Sequence, residues 1–335
     1  FNKMSLNLYS FFHLNIAYSA IEEEDRPKVV EKCYWPLLKL VARHNLKFGI
    51  ELSGYTLETI LSIDPKWVEE FRRLIFKGSC ELIGCGYTQI IGPLVPAEMT
   101  MNNLNIGNSI YKKIIGIQPK VALLNEQAFS SGLVELYKTS GYDTVIMEWD
   151  NPYRNNFNWN MEWSYLPQRV RGNDSNEINL IWNKSISFQK FQRYVHGEIE
   201  LSDLLKYIRS HLNKSQRNFP VYGNDVEIFD FRPGRYMTEE EIQFDGEWKR
   251  INSFYRALKK EKNMNFILPS EVMKLKTQFG ANQLLNLTSA SQPIPVKKQD
   301  KYNIIRWAVT GRDDLQINTS CWQIFESLQN NARAN

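Results

Sequence analysis

Val121-Ala122-Leu123-Leu124-Asn125-Glu126 and Phe219-Pro220-Val221-Tyr222-Gly223-Asn224-Asp225 share one pattern: a short apolar run that closes on an acid. Runs this short and this apolar read as strands of a parallel sheet buried on both faces. Such strands deliver the residue at their tip to the rim of a sheet or barrel. Two acids brought to one rim are the pair that glycosidic bond chemistry uses.

Outward from these two runs, a strand-then-helix rhythm covers most of the chain. Strands are expected over 6–13, 46–52, 80–85, 121–125, 144–149, 178–182, 220–224 and 265–268. Helices are expected over 27–44, 65–77, 132–140, 201–212 and 239–260, and within 97–115, with Asp64 as the N-cap of the second. Repeated β-α units imply a parallel sheet, closed or open, and about seven or eight such strands suggest a barrel related to the (β/α)8 type. Past Ser270 the rhythm stops. Residues 1–272 are therefore read as the barrel and 273–335 as an extension, helical or irregular, that packs on it. That extension holds Pro293-Ile294-Pro295, Lys297-Lys298-Gln299 and a dense run of Arg306, Trp307 and Arg312. The run either lines the rim or clamps the barrel's seam.

Bulk properties narrow the class. The chain has 335 residues, 43% of them hydrophobic, enough for one large core. A formal charge of +4 without a basic cluster argues against a nucleic-acid partner. Aromatics reach 13%, a supply for stacking on sugar rings as well as for the core. Cys33, Cys80, Cys85 and Cys321 have neither zinc-ribbon nor disulfide-framework spacing. With no apolar stretch as long as a membrane span and no leader pattern, reduced thiols predict a cytoplasmic protein. No metal or other cofactor is expected, and nothing in the sequence fixes the oligomeric state.

Several notable polar residues fall where strands end: His13 and Asn15, Glu51 and Ser53, Glu126, Glu148 with Trp149 and Asp150, Trp182 and Asn183, and Asp225 with Glu227. In barrels those ends form the active site.

At these positions the chain resembles glycoside hydrolase family 57. His13-Leu14-Asn15 stands where the family has His-Gln-Pro. Gly78-Ser79-Cys80-Glu81-Leu82-Ile83-Gly84 matches its Gly-x-x-Glu-x-x-Gly strand. Glu126 matches the strand-end nucleophile. Asp225-Val226-Glu227-Ile228-Phe229-Asp230 matches Asp-x-Glu-x-Phe-Gly in all but the Gly. The resemblance runs in order over roughly residues 5 to 270, a span that suits one barrel domain. It implies a distorted (β/α)7 barrel and a retaining glycosidase or transglycosidase acting on α-glycosidic bonds, with Glu126 as nucleophile, Asp225 as acid/base, and carboxyl groups about 5–5.5 Å apart. By the same token His13, Glu81 and Glu227 would hold sugar hydroxyls, while Trp149 or Trp182 would stack on the ring.

Where the glucan-active members carry Gly-His-Trp-Trp, this chain has Asp230-Phe231-Arg232-Pro233-Gly234-Arg235. Losing the Trp platform weakens the case for an α-glucan. Gaining Arg232 and Arg235 suggests an acidic sugar of a bacterial surface polysaccharide, since guanidinium forks pair with carboxylates. Blander readings stay open: Glu126 and Asp225 as turn caps, His13 as a core histidine, the two arginines as loop ties. Two other functions also remain, a metal-dependent polysaccharide deacetylase-like enzyme and a non-catalytic glycan-binding barrel.

Overall fold

A computed structural model describes residues 4–18, 20–232, 246–297 and 303–334. Ten strands, β1 (Leu6–Leu14), β2 (Phe48–Leu52), β3 (Cys80–Ile83), β4 (Val121–Leu123), β5 (Thr144–Glu148), β6 (Gln168–Arg171), β7 (Glu177–Asn183), β8 (Arg217–Asp225), β9 (Met264–Phe266) and β10 (Leu284–Leu285), form two sheets among the described residues. The first runs β3-β2-β1-β8, with β9 also paired to β1. The second runs β10-β6-β7-β5-β4. All pairings are parallel except that of β6 with β7.

The two sheets face one interior. A hydrophobic cluster takes Tyr9 and Phe11 from β1, Ile83 from β3, Val121 and Leu123 from β4, Ile146 from β5 and Ile181 from β7, with Val272 added from the segment Pro269–Leu275. The sheets meet at two places. A parallel bridge joins Gly84, after β3, to Ala122 of β4. On the other side β7 and β8 share no ladder; instead the Asn183 amide donates to the Gly223 carbonyl at 2.9 Å and the Tyr9 hydroxyl bonds the Trp182 carbonyl. Gly223 is required there, because a Cβ would stand 2.3 Å from Asn183 Oδ1 and 2.5 Å from the Phe11 ring.

Helices cover the outer faces. Trp35–His44, Pro65–Phe76, Ser185–Val195 and Glu247–Leu258 bury one apolar stripe each against the first sheet's outer core. Asp64 does cap its helix, accepting from the Lys66 N–H at 3.1 Å. Of the helix expected over 239–260, the described part is Glu247–Leu258.

Several elements differ from the sequence reading, among them β6, antiparallel to β7, where no strand is expected. Gly54–Ile63 is helical, started by Ser53, whose hydroxyl accepts from the Thr56 N–H. Ser185–Val195 is helical, with Phe188, Phe191 and Val195 on its buried face. Asp314–Ala334, in the stretch expected to be helical or irregular, is a long helix tied back by Trp322 Nε1 donating to the Leu94 carbonyl at 2.9 Å. The short strand Leu284–Leu285 joins the second sheet at β6, beyond the expected boundary at residue 272. All four cysteines are free thiols. Among the described residues no helix is long and apolar enough to cross a membrane.

Candidate active site

The strand ladder brings three polar residues level with one another. His13, near the end of β1, pairs in register with Glu51 of β2 on one side and Asp225 of β8 on the other. Asp225 reaches that level through a slip in β8. Tyr9 pairs with Pro220 but Ser10 pairs with Tyr222, so Val221 is an extra residue. Pro220 has no N–H for the ladder, which suits a bulge, and bulges re-aim the side chains beyond them.

His13 Nδ1 is hydrogen-bonded to the fully buried Glu51. Its Nε2 lies 3.0 Å from the Gln89 side-chain amide and 3.7 Å from Asp225 Oδ1. Burial pulls the imidazole pKa down. The charges of Glu51, Asp225 and Glu227 more than reverse this and push it up to about 9. His13 is thus an imidazolium at neutral pH, hydrogen-bonded to Glu51.

Glu227 lies behind Asp225. Its Oε1 accepts from the Asn15 N–H and the Tyr34 hydroxyl, both at 2.6 Å. Burial first, then repulsion from Asp225, raises its pKa to about 7 against the pull of Tyr34, His13 and Asn15. It supports the rim and does not line the cavity below.

Glu126 arrives from the second sheet. It follows β4 in a tight turn, Asn125–Gln127, where Glu126 and Gln127 have φ of 52° and 50°. Two successive non-glycine residues in the left-handed region carry strain of roughly 1–3 kcal/mol each, so the surroundings must hold them. Asn125 Nδ2 donates to the Ile90 carbonyl at 3.0 Å and Asn183 Nδ2 to Gln127 Oε1 at 3.4 Å. A strap from the extension adds more. Phe129 N–H donates to the Pro295 carbonyl, and Lys297 N–H donates to the Glu126 carbonyl, each at 3.0 Å. The Lys297 ammonium lies 2.9 Å from Glu126 Oε2.

Glu126, Asp225 and His13 all line one cavity of about 260 Å³, together with Phe11, Gln89, Lys297 and Trp307 among others. The two acids, 99 residues apart in sequence (225 minus 126), come from different sheets to the same hollow.

The other residues singled out from the sequence stand elsewhere. Glu81 is tucked into β3, where its carboxylate accepts from the Ser270 N–H at 2.9 Å. Trp149 and Trp182 are buried core, edge-on to each other at 4.9 Å, with Trp149 also stacked on Tyr153. Arg232 turns away to pair with buried Glu247, its NH2 group also 2.9 Å from His196 Nδ1. None of these lines the cavity. Arg235 lies outside the described residues. The aromatic rings on the cavity wall are Phe11 and Trp307 instead. Of the cavity residues that sequence reasoning did not select, Gln89 follows a glycine-rich strand end, a usable signal. Lys297 has no local signal at all, since only the fold carries it to the rim. Among the described residues no group of three His, Cys, Asp or Glu is arranged to hold a metal ion.

The sequence pattern described as Glycosyl hydrolase family 57 matches residues 6–288 of this chain. The chain belongs to that family. Among curated family 57 relatives it is 24% identical over 245 residues to an alpha-amylase of Pyrococcus furiosus, covering 73% of this chain and 35% of the relative. It is 21% identical over 262 residues to a 4-alpha-glucanotransferase of Thermococcus kodakarensis, covering 78% and 37%. The chain thus spans little more than a third of the length of these relatives. Its fold is shared with the crystal structure of 4-alpha-glucanotransferase from Thermococcus litoralis, at a TM-score of 0.69 and 17% identity over 97% of this chain and 47% of that one.

Proposed function

We propose that this chain carries the catalytic site of a retaining glycoside hydrolase or transglycosidase acting on α-glycosidic bonds. The observation that carries the reading is the convergence of Glu126 and Asp225 on one cavity, in a member of family 57. Glu126 attacks the anomeric carbon while Asp225 gives its proton to the leaving oxygen. Asp225 then takes a proton from water or a sugar hydroxyl, which displaces Glu126. His13, an imidazolium fixed by Glu51, supplies a hydrogen-bond donor beside the reacting sugar. Trp307 offers the ring face.

For the glycan we propose an α-linked gluco-oligosaccharide or polysaccharide, following the activities named for the relatives. The acidic surface polysaccharide suggested by Arg232 and Arg235 has less support, because the Arg232 fork is engaged by Glu247. We also read the two sheets as halves of a distorted (β/α)7 barrel; the shared interior cluster and the Gly84–Ala122 bridge support this. Residues 273–335 then act as an extension that completes the rim, supported by the strap at Pro295–Lys297 and by Trp307.

The test is turnover of maltooligosaccharides and aryl α-glycosides, with the anomer of the first-formed product followed by NMR. The α-anomer should appear first, and Glu126→Gln should lower kcat by about 10³-fold or more with the fold intact. A β-anomer, or near-normal turnover in the variant, would end the assignment.

A further inference from the structure

We propose that Lys297 is a positioning residue that speeds the second half of the double displacement, an inference that rests on Glu126 being the nucleophile. Lys297 grips Glu126 twice, backbone to backbone at 3.0 Å and ammonium to Oε2 at 2.9 Å. The segment that carries it is fixed on its own account. The Val296 side chain is fully buried, its carbonyl accepts from Asn151 Nδ2 at 2.7 Å, and the Pro295 carbonyl accepts from Phe129 N–H. The ammonium is therefore presented by a braced strap, and it loses little further freedom on meeting the carboxylate. Lys297 lies past residue 288, where the family match ends, so the shared family pattern does not supply it.

The geometry divides the carboxylate's work. Oε2 is held by Lys297, and among the described residues no hydrogen bond is given to Oε1. Oε1 is then the oxygen offered to the anomeric carbon. In the first half, the bond from Oε1 to that carbon forms, the glycosidic C–O bond breaks, and the Asp225 proton goes to the leaving oxygen. The resulting ester has no charge, so the attraction between the ammonium and the Glu126 carboxylate is lost. In the second half, the oxygen of water or a sugar hydroxyl bonds to the anomeric carbon and its proton passes to Asp225. The ester bond breaks and its electron pair returns to Glu126. A fixed cation beside the oxygen pair favours the step in which that charge reappears.

The experiment compares the full chain with Lys297→Met and Lys297→Arg on an aryl α-maltooligoside. Its good leaving group makes breakdown of the ester limit kcat. Lys297→Met should lower kcat by about 10²-fold and kcat/KM by much less. Intact-protein mass spectrometry should find the glycosyl adduct accumulated at steady state. Lys297→Arg should restore most of kcat without the adduct. Lys297→Gln repeats the test should the Met variant not fold. Wild-type kcat in the neutral variants, or kcat and kcat/KM falling together with no adduct, would overturn the proposal while active wild type and inactive Glu126→Gln leave the parent reading standing. A wild type that turns over no α-glycoside would remove both.

Discussion

Single side chains decide most of what the site can do, and their partners matter more than their identities. Arg232 is the clearest case. As letters, Arg232 and Arg235 near an acid pair read as a carboxylate-binding fork. In the fold, Arg232 and His196 share the buried carboxylate of Glu247, which also accepts the Asp230 N–H. Burial works to raise the Glu247 carboxyl, but the hydrogen bonds from His196 and the Asp230 N–H, joined by that from Arg232, hold it below the usual range. Arg232→Ala should therefore act on stability, on the order of 3 kcal/mol by chemical denaturation, because it leaves a buried charge short of a partner. On the folded fraction, kcat/KM should change by less than about threefold on neutral and acidic glycans alike. A selective loss on acidic glycans would return Arg232 to the binding site. The tryptophans teach the same lesson. Trp149 and Trp182 sit at strand ends, as a sugar platform would, yet the period of their strands turns both rings into the core.

At the scale of elements, three neighbouring strands, β2, β1 and β8, build the first sheet's half of the site. Their register alone sets Glu51, His13 and Asp225 side by side. The cluster has a consequence for pH. His13 has a folded pKa of about 9 against an ordinary 6.5. The stability it lends is fully present below about pH 6.5 and is lost as pH rises through about 9. Other buried groups titrate nearby, Glu227 and Lys184 among them, so the useful quantity is a difference. The melting temperature lost on His13→Gln should be largest near pH 6 and should shrink steadily toward pH 9. A difference that stays constant, or grows, with pH would contradict the ladder of charges described here.

Elements were also where the sequence was most legible. Apolar runs ending in acids, such as 121–126, and helices with clear stripes, such as Pro65–Phe76, announce themselves by period and cap. The helix Ser185–Val195 carries the same kind of stripe, in Phe188, Phe191 and Val195, but two helices follow β7 where a strand-helix rhythm expects one. Pro220 inside an apolar run is a sign of the bulge at Val221, whereas the left-handed turn at Glu126 left no such mark. That turn is a local departure imposed by tertiary contacts, the strap among them.

Over the whole molecule, the governing fact is that the two acids belong to different sheets. Glu126 follows β4 of the second sheet, and Asp225 ends β8 of the first. The cavity exists only because those sheets face a common interior, and the extension closes it with Lys297 and Trp307. That the acids converge was legible from strand order, and the dense run at Arg306, Trp307 and Arg312 offered the rim as one of its two places; Lys297 was not legible, because no pattern near it points at the turn that holds Glu126.

The most direct measurement is chemical rescue with azide on an activated aryl α-maltooligoside. With Glu126→Ala, azide should take the place of the missing nucleophile and yield the β-glycosyl azide. With Asp225→Ala, azide should intercept the ester on Glu126 and yield the α-glycosyl azide. Opposite anomers from the two variants would fix the two roles on opposite faces of one anomeric carbon. The same anomer from both, or no rescue in either while the wild type turns over, would contradict the account.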